Sequence, residues 1–309
     1  MSNKIIPLNA VPNQFVLEKD GVSLWIKRED QLHSEVSGNK FRKTKYNLEE
    51  AVSNGYRKIL TFGGAYSNHI AATAAAGELL GLETIGVIRG EELERLPDKE
   101  LRGNPTLDFA LDKGMKLKFL SREEYRKHLT EDLLHRFSRE LGPFYYLPEG
   151  GTNSLGVQGC EEILTPEDRE QFDVICCSVG TGGTMAGLIN ASGANQRVLG
   201  FSALKGNFPV DVISQYTKKS NWDRITNYHF GGYAKINEEL IHFMNNFKTE
   251  TGIPLDPVYT GKMIFGIFDL LAQGWFRANT RILAVHTGGL QGIAGMNRLL
   301  KRKGLPQIQ

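Results

Sequence analysis

The sequence predicts an α/β protein of two domains, each an open, mainly parallel twisted sheet flanked by helices. Short apolar runs alternate with helical patterns along most of the chain, which is typical of βαβ units. The run at residues 172–179 is almost continuously apolar and suits a strand covered on both faces. A length of 309 residues fits one large domain or two moderate ones.

The first half of the chain supplies one series of strands and helices. A strand at 23–27 precedes a helix that starts near Ser37-Gly38-Asn39-Lys40, where Ser37 or Asn39 can cap it and Gly55 can end it. Apolar spacing then predicts strands at 58–62, 84–88, 117–120 and 144–147, and helices at 68–80, around 107–113 and at 122–141.

A second series follows Glu-Gly-Gly-Thr-Asn at 149–153, the clearest break in the chain. Its predicted strands are 172–179, 198–203 and 281–286, and its predicted helices are 153–164, 184–191, 237–250, 262–273 and 291–300. Two sheets facing each other across a cleft are therefore expected. Ligands of such sheets bind at the carboxyl ends of the strands.

Composition and charge restrict the class of function. A net charge of +2 gives no electrostatic footprint for nucleic acid. No apolar run reaches the roughly 18 residues that a membrane helix needs, and the N-terminus has no signal-peptide core. The three cysteines (Cys160, Cys176, Cys177) have neither a disulfide-framework nor a zinc-site spacing. We expect a cytoplasmic protein without nucleic-acid or membrane partners and without a metal site.

A glycine-rich loop, Ser-Val-Gly-Thr-Gly-Gly-Thr at 178–184, joins a predicted strand to a predicted helix. Glycines let the backbone wrap closely around an anion, and free N–H groups at a helix start donate to it. The loop is not a dinucleotide fingerprint, because Met185 stands at the last glycine position, and it is not a Walker loop. It predicts either a phosphate site or a tight βα turn.

Other polar residues also allow two interpretations each. Ser67 and Asn68 follow a strand and two glycines, and they either cap the next helix or contact a ligand. Lys40 is either part of a solvated helix face or a lysine for Schiff-base chemistry, which requires it to lose its proton. Tyr233 and Tyr259 are either packing residues or acid–base groups.

Taken together, these stretches resemble the pyridoxal-phosphate enzymes of the tryptophan-synthase-β fold, and among them the 1-aminocyclopropane-1-carboxylate deaminase/D-cysteine desulfhydrase family. The resemblance covers nearly the whole chain, and its motifs occur in family order. They are Ser-Gly-Asn-Lys-Phe-Arg-Lys at 37–43, Gly-Ala-Tyr-Ser-Asn-His at 64–69, Gly-Thr-Gly-Gly-Thr at 180–184, Asp-Pro-Val-Tyr at 256–259 and His-Thr-Gly-Gly at 286–289.

The resemblance implies roles for individual residues. Lys40 would bind the cofactor covalently, Asn68 would contact the ring hydroxyl and Ser67 would meet a small amino-acid substrate. Tyr259 would stack near the ring and act on the substrate, and Tyr233 matches a further family tyrosine. The loop that would hold the cofactor phosphate consists of Gly180, Thr181, Gly182, Gly183 and Thr184.

The resemblance also implies the domain organisation and the assembly. A small α/β domain would span residues 44–147, inserted into a large cofactor-binding domain made of residues 1–43 and 148–309. A homodimer is expected from the family.

Two positions distinguish the family's two activities. Family members that look like true cyclopropane deaminases carry glutamate after the tyrosine and leucine in the H-x-G-G turn, whereas this chain has Thr260 and Thr287. Either threonine could contact the pyridine nitrogen of the cofactor. A carboxylate keeps the pyridine nitrogen protonated and the ring a strong electron sink, while a hydroxyl can leave it neutral. Thiolate elimination can proceed with the weaker sink. D-cysteine desulfhydrase activity is therefore expected, with cyclopropane deamination, D-serine dehydration and a non-catalytic binding protein as alternatives.

Overall fold

Two sheets organise the protein, in a computed structural model that describes residues 8–36, 38–126, 130–206 and 208–309. The larger sheet has six strands in the order β1-β2-β10-β7-β8-β9, and every pair of neighbours is parallel except the hairpin β1–β2. Its strands are β1 (Asn13–Lys19), β2 (Val22–Lys27), β7 (Val174–Val179), β8 (Arg197–Ser202), β9 (Trp222–Ile225) and β10 (Arg281–Val285).

The smaller sheet is entirely parallel and has the order β5-β4-β3-β6. Its strands are β3 (Lys58–Gly64), β4 (Glu83–Arg89), β5 (Lys116–Leu120) and β6 (Tyr145–Leu147). All four strands fall inside the predicted small domain. The domain boundaries at residues 44 and 147 stay a prediction.

Helices cover both sheets. They are α1 (Gly38–Ser53), α2 (Asn68–Leu80), α3 (Asp98–Leu101), α4 (Pro105–Asp112), α5 (Arg122–Arg126), α6 (Glu131–Leu141), α7 (Ser154–Glu161), α8 (Pro166–Gln171), α9 (Gly183–Ala191), α10 (Val210–Tyr216), α11 (Glu238–Thr251), α12 (Thr260–Ala272) and α13 (Gly292–Arg302). Within the described ranges, no helix is both long enough and apolar enough to cross a membrane.

Strand β7 shows why its sequence is apolar throughout. Successive side chains of a strand point to opposite faces of the sheet. Cys176 packs into the apolar cluster on one face, while Ile175 and Cys177 pack into the cluster on the other. Burial on both faces confirms the expectation from the continuous apolar run, and all three cysteines are buried free thiols.

Several predicted boundaries are wrong. The single helix expected at 122–141 is divided into α5 and α6, because Thr130, directly before α6, has an extended backbone; residues 127–129 lie outside the described part. The strand expected from residue 172 begins at Val174, since Phe172 ends α8 in an extended conformation. Helix α1 begins at Gly38, so Asn39 lies inside it and is not its cap, and Ser37 lies outside the described residues.

Candidate active site

The glycine-rich turns predicted from the sequence all lie at the carboxyl ends of parallel strands or at helix starts. Strand β3 leads into the turn before α2, β7 into the loop before α9, and β10 into the His-Thr-Gly-Gly turn. Parallel strands end at the same edge of their sheet, which is where such sheets bind ligands.

Gly38 brings the start of α1 against the turn after β10. Its φ is +64°, and a Cβ at this position would lie 2.0 Å from the carbonyl oxygen of Thr287. The backbone N–H of Asn39 donates to that same oxygen at 3.3 Å. Only glycine fits this close approach. The first turn of α1, which carries Lys40, is therefore fixed relative to Thr287.

Lys40 has an amine suited to covalent chemistry. It is half-buried one turn before Lys43 on the same helix. Burial, followed by the positive charge of Lys43, lowers the pKa of Lys40 to about 7. A large fraction of its amine is therefore neutral at neutral pH, as a nucleophilic or basic lysine requires.

This shift predicts a pH dependence for the chemical reactivity of Lys40 in the cofactor-free protein. Reaction with a water-soluble aldehyde and reductant should rise with a midpoint near pH 7 at Lys40. Lys45 is the matched control on the same helix: although burial opposes it, hydrogen bonding to Glu162 raises its pKa. Site-resolved mass spectrometry across pH 5 to 11 measures both. A Lys40 midpoint equal to that of Lys45 would contradict the assigned environment.

The loop after β7 and Lys43 together form a candidate anion cradle. Helix α9 begins after Gly182 (φ +90°) with no side-chain cap, so the N–H groups of its first turn have no intrahelical acceptor. A Cβ at Gly183 would lie 3.2 Å from Lys43 Nζ and 2.9 Å from Thr152 Oγ1. The helix start and the buried amine therefore border the same small space, which fits a phosphate.

Lys43 is the residue that the sequence analysis missed. Its side chain is 1% exposed, and Nζ donates to Gly150 O at 3.2 Å, Thr152 Oγ1 at 3.0 Å and Thr181 Oγ1 at 3.3 Å. Burial lowers its pKa, and a bound anion would favour its charged form. The available signal was its spacing of three residues from Lys40, which places both amines on one helix face.

The remaining threonine of the loop faces α1. Thr184 is buried, and its hydroxyl accepts a hydrogen bond from Asn39 Nδ2 at 2.8 Å. Thr181, in contrast, is exposed and shares a 2.7 Å hydrogen bond with Thr152. Both threonines therefore connect the loop to α1, Thr184 through Asn39 and Thr181 through Lys43, and Thr181 is the exposed one of the two.

The Ser-Asn-His turn performs the capping role that the sequence allowed. Ser67 Oγ accepts from the N–H groups of His69 and Ile70 at the start of α2. Asn68 is half-buried, and its Oδ1 accepts from Gln291 Nε2 at 2.9 Å, which connects this turn to the segment after β10. Burial and the nearby Lys40 hold the pKa of His69 well below its usual range. His69 is therefore neutral.

Two tyrosines lie next to the cradle. The half-buried ring of Tyr259 packs on Gly180, where a Cβ would lie 3.1 Å from Cε1. Burial, followed by the neighbouring Tyr233, raises the pKa of Tyr259 above its usual range, so its phenol is protonated at neutral pH. The ring of Tyr233 meets that of Tyr259 edge to face at 6.4 Å, and Tyr233 is 48% exposed.

Thr260 and Thr287 differ in how their hydroxyls are used. Thr260 is fully buried; its Oγ1 donates to Asp256 Oδ2 at 2.6 Å and accepts from Asp256 N at 3.0 Å. Thr287 is 8% exposed, and the described residues form no hydrogen bond with its hydroxyl. Of the two, only Thr287 has a hydroxyl available to a ligand as donor.

These features define the class of site: a lysine with a lowered pKa beside a candidate anion cradle, with an aromatic ring over the loop. Among the described residues, no cluster of three or more His, Cys, Asp or Glu is placed to hold a metal ion. The arrangement suits a small phosphorylated aldehyde.

The chain belongs to the pyridoxal-phosphate dependent enzyme family, whose model matches residues 3–288. It is 32% identical to a putative 1-aminocyclopropane-1-carboxylate deaminase of Pyrococcus horikoshii, over 93% of this chain and 90% of the relative. It is 33% identical to the bifunctional mitochondrial D-cysteine desulfhydrase/1-aminocyclopropane-1-carboxylate deaminase of Arabidopsis thaliana, over 89% of this chain and 74% of the relative.

A solved structure described as an ACC deaminase homologue superimposes with a TM-score of 0.78 at 30% identity, covering 94% of this chain and 93% of the other. The predicted α/β fold of the tryptophan-synthase-β type and the predicted cofactor are thereby confirmed.

The residues present fit pyridoxal phosphate. The cofactor needs an amine with an accessible neutral form, and the pKa of Lys40 is about 7. It also needs a cation and free N–H groups for its phosphate. Lys43 would supply the cation, and the uncapped start of α9 would supply the N–H groups, in a space that a Cβ at Gly183 would fill.

Proposed function

We propose that the protein is a D-cysteine desulfhydrase, converting D-cysteine to pyruvate, sulfide and ammonia with pyridoxal phosphate attached at Lys40. The observation that carries the choice is the pair Thr260 and Thr287, neither of which is acidic. The bifunctional Arabidopsis relative, whose name includes both activities, supports the family of substrates. The names of the relatives support 1-aminocyclopropane-1-carboxylate deamination equally, and this activity is the second candidate.

Binding roles follow from the contacts. Lys43, the start of α9 and the hydroxyls of Thr181 and Thr184 would hold the phosphate. Asn68, fixed by Gln291, would face the ring hydroxyl, and Ser67 would present the start of α2 to the substrate carboxylate. Such remote contacts fix the reacting atoms without taking part in the chemistry.

Lys40 is the group best suited to remove the proton from the substrate Cα. The cofactor supplies an electron sink for the charge left on that carbon. With a pKa of about 7, the Lys40 amine is basic enough to accept a proton, and about half of it is neutral at pH 7. Tyr259 has a raised pKa and carries its proton, so it serves as a donor toward the leaving group. The partly exposed ring of Tyr233 contacts that of Tyr259 edge to face.

Thr287 is proposed as the partner of the ring nitrogen. Its hydroxyl has no partner among the described residues, and Gly38 holds its backbone next to the start of α1. The hydroxyl of Thr260 instead donates to the buried carboxylate of Asp256. A neutral hydroxyl donor leaves the ring nitrogen unprotonated, which suits thiolate elimination better than ring opening.

An assay of one purified preparation on three substrates tests the function. We expect sulfide and pyruvate from D-cysteine, with kcat/KM exceeding that for D-serine and for 1-aminocyclopropane-1-carboxylate by on the order of tenfold or more, because thiolate is the better leaving group and the sink is weak. L-cysteine serves as the stereochemical control.

Each other outcome identifies an alternative. 2-Oxobutanoate as the main product would assign the deaminase, and preferential turnover of D-serine would assign the dehydratase. A protein that takes up the cofactor and turns over none of the substrates would favour the binding protein. The proposal extends to a cytoplasmic location and, as the family resemblance implies, to a homodimer with a small domain at 44–147; sedimentation analysis tests the assembly.

A further inference from the structure

We propose that Lys262 is a positioning residue that holds the loop at residues 229–235 and thereby places Tyr233 against Tyr259 at the mouth of the site. The inference deepens the proposed function and rests on it, because Tyr233 matters only if the site turns over substrate. The hydrogen bonds of Lys262 Nζ go to Ala203, His229 and Gly232, none of which is proposed to hold the cofactor.

All three N–H groups of the Lys262 ammonium are used by backbone carbonyls. The side chain is 1% exposed, and Nζ donates to Ala203 O at 3.4 Å, His229 O at 2.9 Å and Gly232 O at 2.7 Å. No salt bridge compensates its charge within the described ranges. A buried amine without a salt bridge is costly, and burial lowers the pKa of Lys262 to about 8, although the charge of Asp256 opposes this shift.

The loop that Lys262 binds has an unusual backbone. Four of its residues have positive φ: Phe230 at 52°, Gly231 at 93°, Gly232 at 118° and Ala234 at 54°. Two of these are not glycine, and such conformations persist only where surrounding contacts determine them. The loop therefore needs a constraint from outside itself.

Lys262 binds the two carbonyls that close the turns of this loop. His229 O accepts from Gly232 N at 3.0 Å, and Gly232 O accepts from Lys235 N at 3.1 Å. The same two oxygens accept from Lys262 Nζ. One ammonium thus stabilises both turns on either side of Tyr233, and the third bond, to Ala203 O, fixes them to the end of β8.

The arrangement also sets the loop relative to the catalytic elements. Lys262 lies in the first turn of α12, three residues after Tyr259, so one helix start carries both the tyrosine over Gly180 and the amine that holds the loop. The edge-to-face contact between Tyr233 and Tyr259, at 6.4 Å, is the result. Losing the amine should release Tyr233 while leaving Tyr259 in place.

Lys262→Met tests the inference, with Lys219→Met as the matched control. Lys219 Nζ also bridges backbone carbonyls, those of Asn190 and Ser192 at 2.8 and 2.7 Å, at the end of α9. In the cofactor-loaded protein, Lys262→Met should accelerate amide hydrogen exchange at residues 229–235, and Lys219→Met should not. Lys262→Met should also lower kcat/KM by roughly tenfold to a hundredfold, because Tyr233 is then misplaced. Its affinity for the cofactor should not change.

A double variant separates positioning from general destabilisation. In a Tyr233→Ala background, Lys262→Met should cause little further loss of kcat/KM, because both changes remove the same contact. Unchanged exchange at 229–235, or fully additive losses, would overturn the inference. Exchange is measured without substrate, so it decides whether Lys262 holds the loop even if D-cysteine is not turned over. If Lys262→Met does not fold, the same measurements are made on Lys262→Gln, whose side chain keeps two hydrogen-bond donors.

Discussion

Replacing Lys40 with alanine is expected to abolish visible cofactor absorbance and to reduce turnover of D-cysteine by on the order of 10³-fold or more. The variant removes both the attachment point and the proposed base, and general acid–base catalysis alone contributes roughly 10²- to 10⁴-fold. The fold should persist, because the Lys40 side chain makes no hydrogen bond among the described residues and leaves no acceptor unpaired. Absorbance, turnover and circular dichroism measure the three effects.

Lys45→Ala is the control for this change. It lies on the same helix, and its amine binds Glu162 at 2.7 Å, away from the cradle. It should retain cofactor absorbance and activity. Retained turnover in Lys40→Ala, with the helix intact, would contradict the role given to Lys40.

Replacing Lys43 with methionine is expected to weaken cofactor binding by roughly tenfold to a hundredfold, because a hydrogen bond to a charged group contributes about 1.5–3 kcal/mol. The methionine preserves most of the buried volume while removing the cation beside the start of α9. Titration of the cofactor-free protein, followed by absorbance, gives the dissociation constant.

Pyridoxal without its phosphate provides the matched ligand. Wild type and Lys43→Met should bind it equally, since the cation acts on the phosphate. An equal loss for both ligands would show that Lys43 acts through the fold and not through the anion cradle.

The sequence predicted the parts of the site that are local. Three stretches either join a strand to a helix or begin a helix: the glycine loop at 180–184, the turn at Ser67 and Asn68, and the stretch around Lys40. The structure therefore has them where the sequence pattern predicted them. Ser67 was correctly given a capping role as one alternative. The choice of fold followed from the same alternation.

The sequence pattern did not predict the side-chain contacts that give Lys43 and Thr260 their environments. Lys43 donates hydrogen bonds to Gly150, Thr152 and Thr181, which lie more than 100 residues later in the chain. The residues next to Lys43 in the sequence do not indicate that its side chain is buried. The hydroxyl of Thr260 is engaged by Asp256, four residues earlier, through a helix-start geometry that the sequence did not reveal. Only the structure shows that, among the described residues, the hydroxyl of Thr260 is engaged and that of Thr287 is not.

Short and marginal elements were missed for physical reasons. Strand β1 is a partly exposed edge strand with an irregular register, so its alternation is weak. Helix α8 has six residues, too few for a hydrophobic period, although its Thr165–Asp168 capping box was a usable signal. Strand β9 has four residues and helix α10 has seven, and both are too short to show a clear hydrophobic period.

Borohydride reduction of the cofactor-loaded protein followed by peptide mapping tests the central claim most directly. Reduction fixes the cofactor to the amine that holds it, and the digest identifies that residue. We predict a single modified peptide with the label on Lys40, together with loss of visible absorbance. A label on Lys43, Lys262 or any other amine, or a protein that takes up no cofactor, would contradict the assignment.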